Sequence, residues 1–401
     1  MRKASLLIAL LVTCAAAPEV GGQTTSKPAA GPMLVDKKLI LQRKKILGEE
    51  KWKPRLYQAC LQVSPRGTKL LYIRSQKGTV KLRSGKGFEN RTIRRLVLRD
   101  LAGGQDTVLP IPAFVPERAV TYMLGCRLFD PAEKKIVLGV GVDDDKDGVA
   151  WPGEPGRMRG AIYDIEKDKL EMLDLEDQAI LPSFDRTGRK IYLLKWDVKE
   201  WTGTLHVADA AKLEFEPLKF LGLPRGFCPT ANVAMMVVKP KEKGFALYKL
   251  VLYDQNADKQ LVELPTEGMN AELMGSRQKW TPDGRYYCYK NLKKTQFPNG
   301  RTGFTSVMRV WDRKAERQVA ALAGAYPVGP GPGPTSMVVA VMHAGNVKET
   351  ILYDAASGRS RRIDLKHRPV AAAAGRVFYV KWTDNGDALF SAKIALPAEK
   401  K

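Results

Sequence analysis

A short phrase recurs along this chain: an apolar run ends in aspartate, a polar turn follows, and a second apolar run completes the unit. Successive aspartates of this kind are 42 to 64 residues apart. A period of this length indicates a modular array in which each repeat supplies one small sheet. The aspartates that carry the phrase are Asp100, Asp164, Asp209, Asp254, Asp312 and Asp354.

A second phrase lies upstream of each aspartate and consists of an apolar strand, a tight turn and another apolar strand. Its clearest copies read SPRGTKLLYI from Ser64, FDRTGRKIYLL from Phe184 and WTPDGRYYCY from Trp280, and another has its turn at Thr383. Pro, Asp, Asn and Gly supply the turn geometry. The chain contains seven strand–turn–strand units and six aspartate hairpins.

These units resemble the repeats of TolB-like and WD40-like β-propellers, and the VWD at Val310–Asp312 is similar to the end of a third strand in such a blade. The resemblance implies an all-β fold of four-stranded antiparallel blades, with seven blades favoured and six as the alternative. It also implies a single propeller domain over residues 34–401. The N-terminal segment Met33–Leu47 is expected to complete the last blade, because closure removes an exposed sheet edge.

The N-terminus predicts export from the cytoplasm. Arg2 and Lys3 precede a short apolar core, so residues 1–22 are interpreted as a signal peptide and residues 23–33 as a flexible leader. A secreted or periplasmic protein is expected. Lipid attachment at Cys14 is the less favoured alternative, because Thr13 fits a lipobox poorly. No other segment is long and apolar enough to span a membrane.

One segment has the pattern of a calcium loop. Asp143, Asp145, Asp147 and Glu154 fit the spacing D-x-D-x-D-G-x5-E, in which alternate carboxylates converge on a hard cation and Val149 contributes its carbonyl oxygen. The flanking runs IVLGVGV and GAIYDI are strand-like, so a structural Ca²⁺ in a propeller loop is predicted. The competing interpretation is a solvated acidic turn.

Two basic segments are predicted to be long loops on one face of the ring, at residues 74–95 and 290–305. In a chain with a net charge of +23, such loops would attract polyanions. Aromatic rings there and in blade three could stack on sugars. The alternative is a solvated basic loop with aromatic residues in the core. The predicted ligand-binding residues are Arg83, Lys86, Arg94, Arg95, Lys293, Lys294, Trp151, Trp196 and Trp201.

The favoured function is therefore that of a non-enzymatic, monomeric binding protein. Its expected partner is an anionic polysaccharide, another envelope polymer or a protein, whereas nucleic acid is not expected for a secreted protein. Two alternatives remain: a hydrolase or polysaccharide lyase with its site in the central channel, and a protein-binding scaffold of the TolB type. No recognised catalytic motif is present, and the three histidines share no known spacing.

Overall fold

All regular secondary structure in the described part of the chain is β-strand. Among the described residues there is no helix long and apolar enough to cross a membrane. The computed structural model describes residues 32–44, 61–81, 87–114, 127–141, 149–150, 158–173, 179–197, 202–218, 223–238, 249–265, 269–270, 279–296, 302–343, 346–383 and 386–396.

The strands follow one another through short turns in chain order. The first half comprises β1 (Met33–Lys44), β2 (Leu61–Val63), β3 (Lys69–Lys81), β4 (Phe88–Asp100), β5 (Asp106–Val108), β6 (Ala113–Phe114), β7 (Lys135–Gly141), β8 (Val149–Ala150), β9 (Met158–Asp164), β10 (Lys169–Met172), β11 (Ala179–Phe184), β12 (Lys190–Asp197), β13 (Thr202–Asp209) and β14 (Phe215–Pro217). The second half comprises β15 (Leu223–Phe227), β16 (Val233–Val238), β17 (Lys249–Asp254), β18 (Lys259–Leu264), β19 (Met269–Asn270), β20 (Tyr286–Gln296), β21 (Thr302–Asp312), β22 (Arg317–Ala323), β23 (Ala325–Pro330), β24 (Ser336–His343), β25 (Asn346–Asp354), β26 (Ser360–Ile363), β27 (Arg368–Ala373), β28 (Arg376–Thr383) and β29 (Gly386–Ala395).

These strands form seven sheets, which are the blades of a β-propeller, so the all-β, seven-bladed prediction is confirmed and the six-bladed alternative is wrong. Blades three, four and six are regular, with four strands in sequence order from the channel outward. In blade two the described inner segment makes the isolated bridge Phe129–Ile136. In blade five the inner strand β19 pairs with β20 through Met269 and Asn270, and the bridge Trp280–Tyr287 lies further along the chain. The blades comprise β2–β6 with β8 (one), β7, β9 and β10 (two), β11–β14 (three), β15–β18 (four), β19–β22 (five), β23–β26 (six), and β27–β29 with β1 (seven).

The N-terminal strand completes the last blade. Strand β1 pairs antiparallel with β29, from Met33 opposite Ala395 to Lys44 opposite Gly386. The guanidinium of Arg376 fastens this strand, since it donates to the Asp36 carboxylate at 2.7 Å and to the Asp36 carbonyl at 2.9 Å. The two ends of the ring are thus joined within one sheet.

Blade seven differs from the sequence prediction in the position of its turns. The TDNG turn at Thr383 was expected to join the first and second strands, but it joins β28 and β29, which are the second and third. The first turn is formed by Ala374 and Gly375, both with positive φ. The error arose because Asp-Asn-Gly is a strong signal for any tight hairpin and does not reveal which pair of strands it connects.

The recurring aspartate closes the outer hairpin of each of the first six blades. At Asp254, for example, the carboxylate oxygen Oδ1 accepts hydrogen bonds from the backbone N–H groups of Asn256 and Ala257 at 2.8 and 3.1 Å. Asx turns of this kind, in which an Asp or Asn side chain accepts hydrogen bonds from the backbone N–H groups that follow it, satisfy donors that a tight hairpin would otherwise leave unpaired. The Gly103 and Lys167 N–H groups likewise lower the pKa of Asp100 and Asp164, respectively.

Among the described residues the hydrophobic core forms eight clusters, of which seven lie in the gaps between neighbouring blades and a small eighth, of Val80, Ile93 and Ala113, lies within blade one. Blades one and two share the cluster around Leu71 and Tyr163, and blades four and five share the cluster around Trp280. The gap between blades seven and one contains Ile40 of β1 together with Leu70 and Phe378. The closing strand therefore supplies core packing as well as backbone pairing.

Ring closure can be tested with adjacent residues of β1. Ile40 is 6% exposed and its neighbour Leu39 is 54% exposed. We expect Ile40→Ala to lower the free energy of unfolding by about 2–4 kcal/mol, because it leaves a cavity between blades seven and one. Leu39→Ala is the matched control and should change it by less than about 0.5 kcal/mol. Equal losses in chemical denaturation would show that β1 does not pack into the ring.

Candidate functional site

A cavity of about 560 Å³ opens at the mouth of the central channel, on the face that carries the turns between first and second strands. Six blades contribute to it through the ends of their inner strands and the turns that follow. Its volume is in the range of ligand-binding pockets. The lining comprises Leu61–Pro65, Arg127–Phe129, Pro229, Trp280–Pro282, Val328, Pro330–Pro332 and Val370–Gly375.

Hydrogen bonds between neighbouring turns hold this mouth in shape. The Thr230 hydroxyl of blade four donates to the Asp283 carbonyl of blade five at 2.8 Å, and the Asp283 N–H donates to the Pro334 carbonyl of blade six at 2.9 Å. The Glu133 carboxylate of blade two accepts the Arg66 N–H and the Thr68 hydroxyl of blade one. The turns are therefore a rigid support for whatever binds at the cavity.

Most of the cavity wall is apolar, and two of its polar side chains serve the turns. The Ser64 hydroxyl accepts the Lys69 N–H at 2.9 Å, and the Thr281 hydroxyl donates to the Asp283 carboxylate at 2.6 Å. The same role is served by the residue that begins the turn in four blades, Ser64, Asp130, Asp185 and Thr281. Gln62 and Arg127 are the other long polar side chains of the lining.

The inner strands near the cavity carry cations. Arg225 and Lys279, from blades four and five, are 5% and 6% exposed. Burial, reinforced by the nearby charges of Arg225 and Lys290, lowers the pKa of Lys279 to about 7. Sequence analysis missed these residues. The signal that could have identified them is a basic residue at an inner-strand position of a repeat, as in LPRGF and RQKW.

The predicted long loops are instead mainly strand. Residues 74–81 and 88–95 extend β3 and β4 into a long hairpin, and most of 290–305 belongs to β20 and β21. Backbone pairing across these hairpins satisfies the N–H and C=O groups that a loop would expose. Connections between second and third strands lie on the same face of a propeller, opposite the cavity mouth.

The predicted basic residues are divided between these two hairpins. Arg94 and Arg95 lie in β4 and are half-buried, with Arg95 opposite Arg74 in the register. Lys293 is exposed on β20, and Lys294 lies opposite Phe304. Arg83 and Lys86 fall outside the described residues.

The other predicted site residues can be placed only in part. Trp196 lies in β12 opposite Gly203, whereas Trp151 and Trp201 fall outside the described residues. The carboxylates of the predicted calcium loop, Asp143, Asp145, Asp147 and Glu154, also fall outside them. Val149, in the middle of that loop, lies opposite Ala113 of blade one in a short parallel pairing. Among described residues, no group of three or more His, Cys, Asp or Glu could hold a metal ion.

Solved β-propeller structures resemble this fold. No family model and no curated protein matches the sequence. Among solved structures, the β-propeller domain of the Trilobed protease from Pyrococcus furiosus is 12% identical with a TM-score of 0.51, over 86% of this chain and 99% of that one. TolB from Acinetobacter baumannii is 11% identical with a TM-score of 0.38, over 80% of this chain and 79% of its own. The chain is a β-propeller. At these identities the likeness shows the fold alone.

The buried lysine of the propeller gives a test by pH. Because the pKa of Lys279 falls from 10.5 to about 7 on folding, the unfolded chain binds one more proton between these values, and stability rises with pH there. Relative to Lys279→Met, the wild type should gain about 1.4 kcal/mol of unfolding free energy per pH unit from pH 7 to pH 10.

Urea denaturation at several pH values measures this slope. The matched control is Lys348→Met at an exposed position of β25, for which the same comparison should be flat. If the difference in unfolding free energy between the wild type and Lys279→Met does not change with pH, the lysine keeps its proton in the folded protein.

Proposed function

We propose that this propeller is a secreted or periplasmic binding protein, without catalytic activity, that receives a segment of a partner protein at the mouth of its channel. The observation that carries the proposal is the cavity itself, which is apolar, about 560 Å³ in volume and surrounded by inner strands and turns of six blades. Apolar pockets on a rigid support are a common place for a ligand to bind. The N-terminal sequence pattern supports export.

The polarity of the wall supports a peptide segment over a reaction site. Apolar side chains such as Val63, Phe129 and Val328 form much of the cavity wall. The described lining contains no Asp, Glu, His or Cys. An extended segment can place small apolar side chains in such a cavity and pair its backbone with an inner-strand edge. An acidic channel cluster with raised pKa values would have favoured the hydrolase or lyase alternative.

A blocking substitution tests the channel mouth. Ala371 lines the cavity, and Ala371→Trp should fill part of it. The probe is a synthetic library of short peptides, immobilised through their N-termini, from which binders of the wild type are selected. We expect Ala371→Trp to weaken the selected peptides at least about tenfold, or about 1.4 kcal/mol.

Two further variants complete this experiment. Gln62→Trp, from blade one, should weaken binding in the same way, and Ala321→Trp, on the exposed outer strand β22, should leave it unchanged. Circular dichroism and thermal unfolding verify that each variant is folded. Peptides that bind Ala371→Trp and Gln62→Trp as tightly as the wild type would contradict the proposal.

A second candidate function is polyanion binding on the opposite face. The outer parts of the two long hairpins, residues 74–81, 88–95 and 290–296, contain nine Lys or Arg residues and the single acid Glu89, which pairs with Arg91. Such a density of positive charge attracts anionic polysaccharide or another envelope polymer, and salt should weaken the attraction because the Debye length is about 10 Å at 0.1 M.

Charge reversal distinguishes a local site from diffuse charge. Lys77 and Lys293 are exposed on the two hairpins, unlike the half-buried Arg94. The variant Lys77→Glu/Lys293→Glu should bind heparin less tightly than the control Lys348→Glu/Lys366→Glu, whose lysines are exposed on blade six and the connection to blade seven. Equal salt-elution shifts for the two would mean that net charge alone drives binding.

The structural calcium ion remains part of this proposal. Asp143, Asp145, Asp147 and Glu154 would supply carboxylate oxygens and Val149 a carbonyl oxygen, which are the ligands that Ca²⁺ prefers. The ion would connect the loop to blade one, next to the pairing of Val149 with Ala113. Calcium titration calorimetry of the wild type and Asp145→Ala tests it, since only the wild type should release heat.

A further inference from the structure

The hairpin of β3 and β4 in blade one extends further than the strands of the neighbouring blades. Both strands have 13 residues, and they pair in continuous register along their whole length. The second strands of blades two and seven, β7 and β28, have seven and eight residues. At about 3.3 Å per residue, the hairpin therefore reaches roughly 17–20 Å beyond these strands. Its outer part, residues 74–81 and 88–95, is called the blade-one ribbon.

The blade-one ribbon has its own packing and strand pairing. Val80, Ile93 and Ala113 form the small buried cluster within blade one. Gly78 lets Ile93 pack closely, because a Cβ atom at this position would lie 2.6 Å from Cδ1 of Ile93. Strand β6 pairs with β4, and β8 pairs with β6. A two-stranded hairpin alone is only marginally stable in water. The cluster and the added strands therefore support the ribbon where it leaves the ring.

An exposed aromatic ring lies at the outer end of this ribbon. Phe88 stands opposite Lys81, in the last pair of the register. Its side chain is 72% exposed, which is the largest exposed fraction of any large apolar residue in the described part of the chain. Single apolar residues are common on protein surfaces. Phe88 differs in its position, because the end of a long ribbon meets a flat surface before the rest of the ring does. A phenyl ring is stabilised when it leaves water for the acyl boundary of a membrane.

Positive charge accompanies this ring along the hairpin. Residues 74–95 contain eight Lys or Arg residues and one acid, Glu89, which pairs with Arg91. Lys77 is exposed on the ribbon. Basic side chains are attracted to anionic headgroups, and their long apolar stems can lie beside an inserted ring. Phe88 is the single aromatic residue of this segment. Small ligands such as sugars bind mostly in concave sites, whereas the end of a ribbon is convex. One ring among many cations therefore favours a lipid surface.

We propose that the blade-one ribbon docks this propeller on the surface of an anionic lipid bilayer. Phe88 enters the boundary between headgroups and acyl chains, and the Lys and Arg residues of the ribbon contact headgroup phosphates. This inference rests on the second candidate function and deepens it, because it names a lipid surface as the source of the anionic groups. The ribbon and the channel mouth lie on opposite faces of the ring. A docked propeller therefore keeps its channel-mouth cavity open to solvent.

Co-sedimentation with lipid vesicles tests this docking. The vesicles contain phosphatidylcholine and phosphatidylglycerol in a ratio of about 2:1, and vesicles of phosphatidylcholine alone are the neutral reference. We expect the wild type to bind the anionic vesicles, and Phe88→Ala to bind them at least about fivefold less tightly because the ring no longer enters the lipid. The matched control is Leu261→Ala, which shortens another exposed apolar side chain, on β18 of blade four, and should bind like the wild type.

Heparin affinity separates lipid docking from a general attraction to polyanions. Phe88→Ala should elute from heparin at the same salt concentration as the wild type, because it keeps every charge. Lys77→Glu, on the ribbon, should weaken vesicle binding more than Lys348→Glu, at an exposed position of β25. Each of these side chains is exposed, so thermal unfolding should be unchanged in every variant.

The two sets of measurements can fail separately. If the wild type does not bind anionic vesicles, or if Phe88→Ala binds them as tightly as Leu261→Ala, the docking inference is wrong. In that case a heparin shift in Lys77→Glu/Lys293→Glu still supports the second candidate function, with a polysaccharide as the partner. If vesicle binding depends on Phe88 while heparin does not distinguish the charge-reversed variant from its control, the second candidate function fails and the lipid docking stands.

Discussion

The pairing of β1 with β29 is the contact on which the rest of this ring depends. Seven of the core clusters each lie between two blades, so every blade needs a neighbour on both sides to bury its two faces. Without the closing strand, blade seven would have an unpaired β29 edge, and the gap to blade one would lose Ile40. Open strand edges invite pairing with other chains. Arg376 strengthens the joint by holding both the carboxylate and the carbonyl of Asp36.

Much of this fold could be predicted from the sequence because its signals are local. The recurring aspartate is required by a turn of a few residues, as the hydrogen bonds of Asp254 demonstrate, and it therefore leaves the same trace in each repeat. The register of blade seven was mispredicted because Thr383–Gly386 and Ala373–Arg376 are both hairpin turns, and only the tertiary pairing decides their order. Hairpin length was also missed, since polar residues such as Arg91 and Thr92 can continue a two-stranded ribbon as readily as a loop.

The channel-mouth cavity could not be predicted in the same way, because its lining residues meet only through the ring. Gln62 and Arg127 both line it but come from different blades, and each follows or precedes apolar residues that read as core. The basic residues of the two long hairpins, by contrast, can be recognised in the sequence because they lie close together in it. A buried charge such as that of Lys279 leaves no such trace, although burial gives it a stronger electrostatic effect than an exposed charge that water screens.

Closure by the first strand also governs when the protein can finish folding. Arg376 and Asp36 are 340 residues apart, and bringing such distant segments together costs about 5 kcal/mol of chain entropy. During synthesis β1 has no partner until β29 has been made, so the ring stays open while all the intervening blades are produced. Proteins with contacts this distant in sequence fold slowly. A chain that is slow to close can be threaded unfolded for longer, which suits the export proposed above.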